Sequence, residues 1–127
     1  MNVKDVMTAC PHSIGPTQNL KVAKDMMLEH GIRHLPVLSH HRVVGVISHR
    51  DIYFATAVDQ KPAEQIRIDT VYNEEPYTVT EDTPLVSVVD RMAKDGFGCA
   101  VVTDQHGELT GIFTTTDACR VLADRLK

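Results

Sequence analysis

Apolar residues recur at helical spacing in two stretches of the chain. Leu20, Ala23 and Met27 share one face of a segment that starts after Asn19 and stops at Gly31. Leu85, Val88, Val89 and Met92 repeat the arrangement between Thr83 and Gly96. Asn and Thr are N-cap types, Pro84 suits a first helical position, and glycine commonly follows a helix end. After each glycine the period changes. "HLPVL" (34 to 38) and "CAVVT" (99 to 103) are short apolar runs, each followed by a turn and then by "VVGVIS" (43 to 48) or "LTGIFT" (109 to 114), which predicts strand pairs. A further amphipathic helix follows each pair, over 50 to 58 with Tyr53, Phe54, Ala57 and Val58 as its apolar residues, and over 116 to 126. A short extended piece opens each copy, near Ile14 and near Tyr77 to Val79. The succession β-α-β-β-α is read twice, an α+β (mixed α/β) class.

The likeness extends to single residues. A shift of 65 sets Val6 on Val71, Leu20 on Leu85, Met27 on Met92, Gly31 on Gly96 and Val37 on Val102; a shift of 66 then sets Gly45 on Gly111, Val46 on Ile112 and Asp51 on Asp117. The extra residue falls in "TDQHGE" (103 to 108), whose polar residues and Gly107 read as a hairpin turn, where an insertion costs little. The chain therefore divides into a first repeat over 1–60, a connector over 61–70 and a second repeat over 71–127. The charged stretch "DQKPAEQIRIDT" (59 to 70) holds Pro62 and Glu64, which could start a short helix, so it reads as an ordered connector. Units of about sixty residues have only marginal cores of their own, so the two halves are expected to support each other.

With 127 residues, 43% hydrophobic and 24% charged, the composition is that of a globular domain. The net charge of −4, with 13 Lys and Arg scattered singly, gives no basic stripe for a phosphate backbone, so no nucleic-acid partner is expected. Cys10, Cys99 and Cys119 are odd in number and lack Cys-x-x-Cys spacing, and no apolar run has the length of a signal core or a membrane span. These features predict a reduced, cytoplasmic chain without membrane insertion, in which each Cys is a small, mostly buried hydrophobe.

"GVISHRD" (45 to 51) and "GIFTTTD" (111 to 117) repeat a Gly, two apolar residues, a hydroxyl and an Asp at one spacing. Ser48-x-x-Asp51 and Thr114-x-x-Asp117 stand where a strand gives way to a helix, and a hydroxyl followed three residues later by an acid resembles a capping box. The same groups also suit a ligand. A strand-end hydroxyl with the free amides of a helix N-terminus favours phosphate. An ionised Asp one turn on can accept two hydrogen bonds from a vicinal diol such as that of ribose. Local chemistry leaves both readings open.

Taken together, "GIRHLPVL" (31 to 38) with "GVISHRD", and "GFGCAVV" (96 to 102) with "GIFTTTD", resemble the cystathionine-β-synthase (CBS) domain, which occurs in tandem pairs. The similarity runs from "VKDVMT" (3 to 8) onward. The resemblance implies two units about a pseudo-twofold axis, with clefts that hold adenosine compounds such as AMP, ADP, ATP or S-adenosylmethionine. It implies ribose binding by Asp51 and Asp117 and phosphate binding by Ser48 and Thr114. It also implies adenine contacts from His34, Leu35 and Pro36 in the first copy and from Cys99, Ala100 and Val101 in the second. Arg33, His49 and Arg50, with His34, surround the first motif with phosphate donors, whereas Gly98, Cys99, Thr115 and Thr116 surround the second. The first site is therefore expected to prefer a phosphorylated ligand. Val101 stands where the first copy has Pro36, a departure from the family pattern in the second pocket.

Rival readings remain. His40, His41 and His49 form the densest group of seven histidines, but no His-x-x-x-His pair lies on one helix face and no Cys is spaced with them, so no metal site is expected. No Gly-x-Ser-x-Gly elbow, phosphate-loop lysine motif or Cys-His arrangement points to catalysis, and the chain is read as a non-enzyme requiring no cofactor. A ligand-free dimerisation module is the main alternative. The preferred reading is an energy-sensing regulatory module that binds AMP, ADP or ATP, forms a homodimer and signals in trans to an unidentified protein target.

Overall fold

The computed structural model describes residues 1–127. Its elements are β1 (Thr8–Ala9), α1 (Leu20–His30), β2 (His34–Ser39), β3 (Arg42–Ser48), α2 (His49–Asp59), β4 (Thr78–Thr80), α3 (Leu85–Asp95), β5 (Cys99–Thr103), β6 (Leu109–Thr114) and α4 (Thr115–Leu126). Single 3-10 turns occupy Val3–Asp5, Ala63–Gln65 and Ile68–Thr70, the second beginning after Pro62 in the connector. The architecture is α+β and the β-α-β-β-α order recurs.

In space the chain groups differently from its repeats. One compact unit contains His12–Glu75; the other contains Met1–Pro11 together with Pro76–Lys127. The opening arm of the first repeat thus belongs to the unit built on the second, and residues up to Glu75, past the start of the second repeat, belong to the unit built on the first.

In the unit of His12–Glu75, β2 and β3 pair antiparallel from His34↔Ser48 to Ser39↔Arg42. Two further segments pair through single bridges: Ile14 with Val37 in parallel, and Asn73 with Val46 in antiparallel. The other unit shows the same plan as a four-stranded sheet in the order β1-β6-β5-β4, in which β4 pairs parallel to β5 over Thr78↔Val101 to Thr80↔Thr103. Proline accounts for part of the difference. The Val101 amide donates to the Tyr77 carbonyl at 2.8 Å, but Pro36 at the matching position has no N–H to give. The opening segment of the first copy is therefore joined to β2 through only two backbone bonds, the Ile14 amide to the Pro36 carbonyl and the Leu38 amide to the Ile14 carbonyl.

Helix ends follow local chemistry. The Asn19 side chain accepts from the Val22 amide at 3.0 Å, and Gly31 and Gly96 close α1 and α3 at φ 64 and 72, the left-handed region that glycine adopts without strain. Thr83 departs from expectation. Pro84 precedes α3 in an extended conformation, and the Thr83 hydroxyl accepts instead from the Thr80 amide at 3.2 Å, tightening the turn from β4. The Leu85 amide, freed by the missing cap, donates to the Met1 carbonyl at 2.9 Å.

Helix α2 also departs from expectation. Tyr53, Phe54, Ala57 and Val58 face solvent, and the buried residues are Ile52 and Ala55. The sequence carries two apolar stripes here, and the cap at the end of β3 fixes the helix phase that turns Ile52 inward. Ile52 and Ala55 join Leu20, Ala23, Met27, Leu35, Val37 and Ile47 in one core, while Leu85, Val88, Met92, Ala100, Val102 and Phe113 form the core of the other unit with Val3.

Candidate functional site

In the unit of His12–Glu75, the strand pairing brings the first motif together. His34, the first residue of β2, lies opposite Ser48, the last of β3, and the His49 amide donates to the Arg33 carbonyl at 2.8 Å. Helix α2 then starts on Ser48. The Ser48 hydroxyl accepts from the Asp51 amide at 3.1 Å, and the Asp51 Oδ2 accepts from the Ser48 amide at 2.9 Å. This reciprocal pair is a capping box, and it holds the hydroxyl, the carboxylate and the helix N-terminus in one place.

Arg33 and Arg50 are exposed beside this box, and Ser48, His49 and Asp51 are half-buried. The His49 ring meets Tyr53 edge-on at 4.6 Å, and the Lys24 ammonium lies 5.5 Å from the centre of the Tyr53 ring. Burial lowers the His34 pKa against the raising effect of the Asp51 carboxylate, and the Arg33 charge lowers it further. At neutral pH the uncharged, hydrogen-bonding form of His34 is therefore favoured, and Arg33 and Arg50 contribute permanent positive charge beside it. Leu35 and Pro36 are buried, Leu35 within the core.

The other unit repeats the frame with different side chains. Cys99 pairs with Thr114 across β5 and β6, and the Thr115 amide donates to the Gly98 carbonyl at 3.2 Å. Thr114 and Asp117 form the second capping box, with the Thr114 amide 3.0 Å and the Thr114 hydroxyl 3.2 Å from Asp117 Oδ2. Asp117 is only 5% exposed, and its Oδ1 accepts from Arg120 Nη1 at 3.0 Å. Cys99, Ala100 and Val101 are buried, and only Ala100 of the three belongs to that unit's core cluster.

Burial also pushes the Cys99 thiol up to about 12. Cys10 and Cys119 are exposed, contrary to the expectation of three mostly buried thiols, because Cys10 sits beside the short strand β1 and Cys119 faces out from α4. Titration of the native chain with an aromatic disulfide at pH 8 is expected to modify two thiols quickly and the third only after unfolding. Three equally fast thiols would contradict the burial of Cys99.

The histidines disperse. His40 and His41 form the two-residue turn between β2 and β3 at φ 52 and 69, whereas His49 follows the opposite end of β3. Seven strand residues at about 3.3 Å each separate the turn from His49 by roughly 20 Å. His12 and His30 stack with ring centres 3.6 Å apart, and no three His, Cys, Asp or Glu side chains gather where a metal could sit.

Comparison with known proteins decides the family. The CBS-domain profile matches residues 3–57 and again 68–124. The chain belongs to the CBS-domain family. A CBS domain pair of protein MJ0100, solved in complex with 5′-methylthioadenosine and S-adenosyl-L-methionine, superposes with a TM-score of 0.88 at 27% identity, covering 96% of this chain and 99% of that one. An uncharacterized 17.7 kDa protein of Acidianus ambivalens is 32% identical over 126 residues, 96% of this chain and 73% of that protein. L-aspartate semialdehyde sulfurtransferase of Methanocaldococcus jannaschii is 29% identical over 97% of this chain, which spans 23% of the length of that relative.

Within this CBS pair the residues around the two motifs divide cleanly. His34 is replaced by Cys99, Arg33 by Gly98, His49 by Thr115, Arg50 by Thr116 and Phe54 by Arg120. Arg120 was not among the residues expected at either motif. Its signal was present as an Asp and an Arg three positions apart on a helix, a spacing that puts the two side chains on one face. No helix of the chain is long and apolar enough to cross a membrane.

Proposed function

We propose that this CBS pair is a regulatory module that binds an adenosine-containing ligand and signals the bound state to a protein partner in trans. The observation that carries this reading is the geometry around Asp51. Its carboxylate has Oδ2 in the capping box and Oδ1 available, beside a helix N-terminus with Arg33 and Arg50 exposed. In this reading Asp51 accepts the ribose diol, while Ser48, Arg33, His49 and Arg50 address a phosphate. His34, Leu35 and Pro36 supply the adenine wall, Leu35 and Pro36 through backbone more than side chain because both are buried. In the second copy Asp117, Thr114 and the Cys99, Ala100 and Val101 segment take the corresponding roles. The ligands in the MJ0100 complex support the adenosine class.

The two arginines refine the choice of ligand. They oppose a cationic sulfonium and attract phosphate, so AMP, ADP or ATP fits the first site better than S-adenosylmethionine. The module has no catalytic role in this reading. Signalling is a population shift, in which the ligand stabilises the arrangement that the partner recognises. Homodimer formation is a further part of the proposal, supported by Phe54, Val58, Leu122 and Leu126, which α2 and α4 leave exposed.

Thermal unfolding against AMP, ADP, ATP, S-adenosylmethionine, 5′-methylthioadenosine, GMP and 2′-deoxy-AMP tests the reading. A ligand at a hundredfold excess over its Kd adds about 2.7 kcal/mol, which raises Tm by several degrees in a chain of this size. The expected result is stabilisation by an adenine ribonucleotide and a much smaller shift with its deoxy form. No shift with any compound would leave an interaction module whose Ser48 and Asp51 act only as a helix cap.

A further inference from the structure

The two motifs agree through the aspartate and diverge one helical turn later. Phe54 stands three residues after Asp51 and Arg120 three residues after Asp117. Phenylalanine cannot pair with a carboxylate, and Phe54 is 70% exposed. Arg120 donates from Nη1 to Asp117 Oδ1 at 3.0 Å, and Asp117 Oδ2 is taken by the Thr114 amide and hydroxyl. Both carboxylate oxygens of Asp117 are thus engaged within the protein. Asp51 accepts one bond, from the Ser48 amide.

A vicinal diol that donates to a carboxylate needs at least one oxygen free of a stronger donor. A guanidinium is such a donor, since hydrogen bonds to charged partners are about twice as strong as neutral ones. The contact is also sheltered on one side. The Asp117 side chain is 7% exposed, although the Arg120 side chain is 66% exposed and free to swing away. We infer that Arg120 is a specificity-determining residue that occupies the carboxylate of the second site and makes diol binding at Asp117 much weaker than at Asp51. The inference rests on the ribose-binding role proposed above. It assigns the preference between the copies to a side chain of the chain itself, in addition to the basic residues clustered around the first motif.

The arrangement also explains why two aspartates in equivalent positions need not give two equivalent sites. Release of Arg120 exposes Oδ1 while leaving Oδ2 in the capping box, so the second site can open without unravelling the start of α4. An anionic ligand approaching Thr115 and Thr116 would offer Arg120 a competing partner, which makes opening more costly for an uncharged nucleoside than for a nucleotide.

Calorimetry with AMP and with 5′-methylthioadenosine on the full chain tests the inference, using Arg120→Gln, Phe54→Arg, Phe54→Gln, Asp51→Ala and the double variant Asp51→Ala with Arg120→Gln. The wild type is expected to bind one AMP tightly. Arg120→Gln is expected to strengthen the second site about ten- to a hundredfold, the effect of one hydrogen bond to a charged group. The double variant then regains AMP binding that Asp51→Ala alone has lost. Phe54→Arg is expected to weaken the first site by about tenfold or more, and Phe54→Gln, which equally removes the exposed ring but offers no guanidinium, separates that effect from any change in dimer formation. Gains with Arg120→Gln should be larger for 5′-methylthioadenosine than for AMP.

Tight AMP binding at Asp51 combined with an unchanged or weakened second site in Arg120→Gln would overturn the inference while leaving the ribose reading intact. Arg120 would in that event be inert or a ligand to phosphate. Absence of binding by the wild type and every variant, with all chains folded by circular dichroism, would overturn the ribose reading and this inference with it.

Discussion

Alanine at Gly45 is expected to destabilise the chain by about 3 kcal/mol or more, whereas alanine at Gly111 should cost about 1 kcal/mol. The two glycines are equivalent in the repeat, and each lies against a segment from the opening arm of the other repeat. A β-carbon at Gly45 would overlap the Tyr72 ring and lie 2.5 Å from the Asn73 carbonyl oxygen. That oxygen accepts from the Val46 amide at 3.1 Å, so it cannot retreat without breaking the bridge that attaches the segment. At Gly111 the obstacle is Met7, whose sulfur would be overlapped and whose Cε and Cγ would lie 3.0 Å away. A thioether with three rotatable bonds can move aside. Thermal denaturation of both variants should show a Tm loss of roughly ten degrees or more for Gly45→Ala and only a few degrees for Gly111→Ala. Equal losses would mean that the arm over Gly45 yields as easily as a methionine side chain.

Asp51→Ala is expected to lower affinity for AMP by about a hundredfold or more, and Asp117→Ala to lower it far less. Two charge-assisted hydrogen bonds to a diol are each worth about 1.5–3 kcal/mol, so their joint loss is at least that large. The stability effects should run in the opposite order. Asp51 contributes one bond to the capping box, so its removal should cost about 1 kcal/mol. Asp117 accepts from the Thr114 amide and hydroxyl and from Arg120 and is nearly buried, so its removal should cost about 2 kcal/mol. Calorimetric titration with AMP and thermal denaturation of the two variants separate the effects. Equal loss of affinity in both would contradict the asymmetry between the copies.

Both sites grow from the same local rule. A hydroxyl at the end of a strand and an aspartate three residues later cap the following helix in each copy. The cap and the ligand reading do not compete, because one carboxylate oxygen serves the cap and the other is left for a second partner. What that partner is depends on the neighbours: Arg120 already fills the role beside Asp117, and nothing equivalent does so beside Asp51.

Much of this was legible without coordinates. Helices α1 and α3, the strand pairs β2-β3 and β5-β6, the turn at Gly107 and the caps at Asn19, Ser48 and Thr114 all depend on residues within a few positions of one another. Periodicity and turn chemistry carry that information locally, and repetition of the pattern doubled each signal. The CBS family was legible for the same reason, since its motifs are short and their order is linear. Thr83 is the cap that local chemistry offers, but its hydroxyl accepts from the Thr80 amide and Pro84 stands outside the helix, so α3 begins one residue later at Leu85. Helix α2 was misread because Tyr53, Phe54 and Val58 are as apolar as Ile52 and Ala55, and only the phase set by Ser48 selects between the stripes.

The sequence by itself determined the repeated β-α-β-β-α order, the positions of the capping motifs and the family. Tertiary structure decided that Met1–Pro11 joins the unit of the second repeat, and that His12–Glu75 carries the opening segment of the second repeat with the first. It also decided that Gly45 and Gly111 are sites of close approach. These are pairings between residues far apart in the chain, chosen by which edge of a sheet can be completed and which surface can be covered. No local period encodes that choice, because β1 and the segment at Asn73 are too short to reveal their partner strand until the sheet they complete has formed.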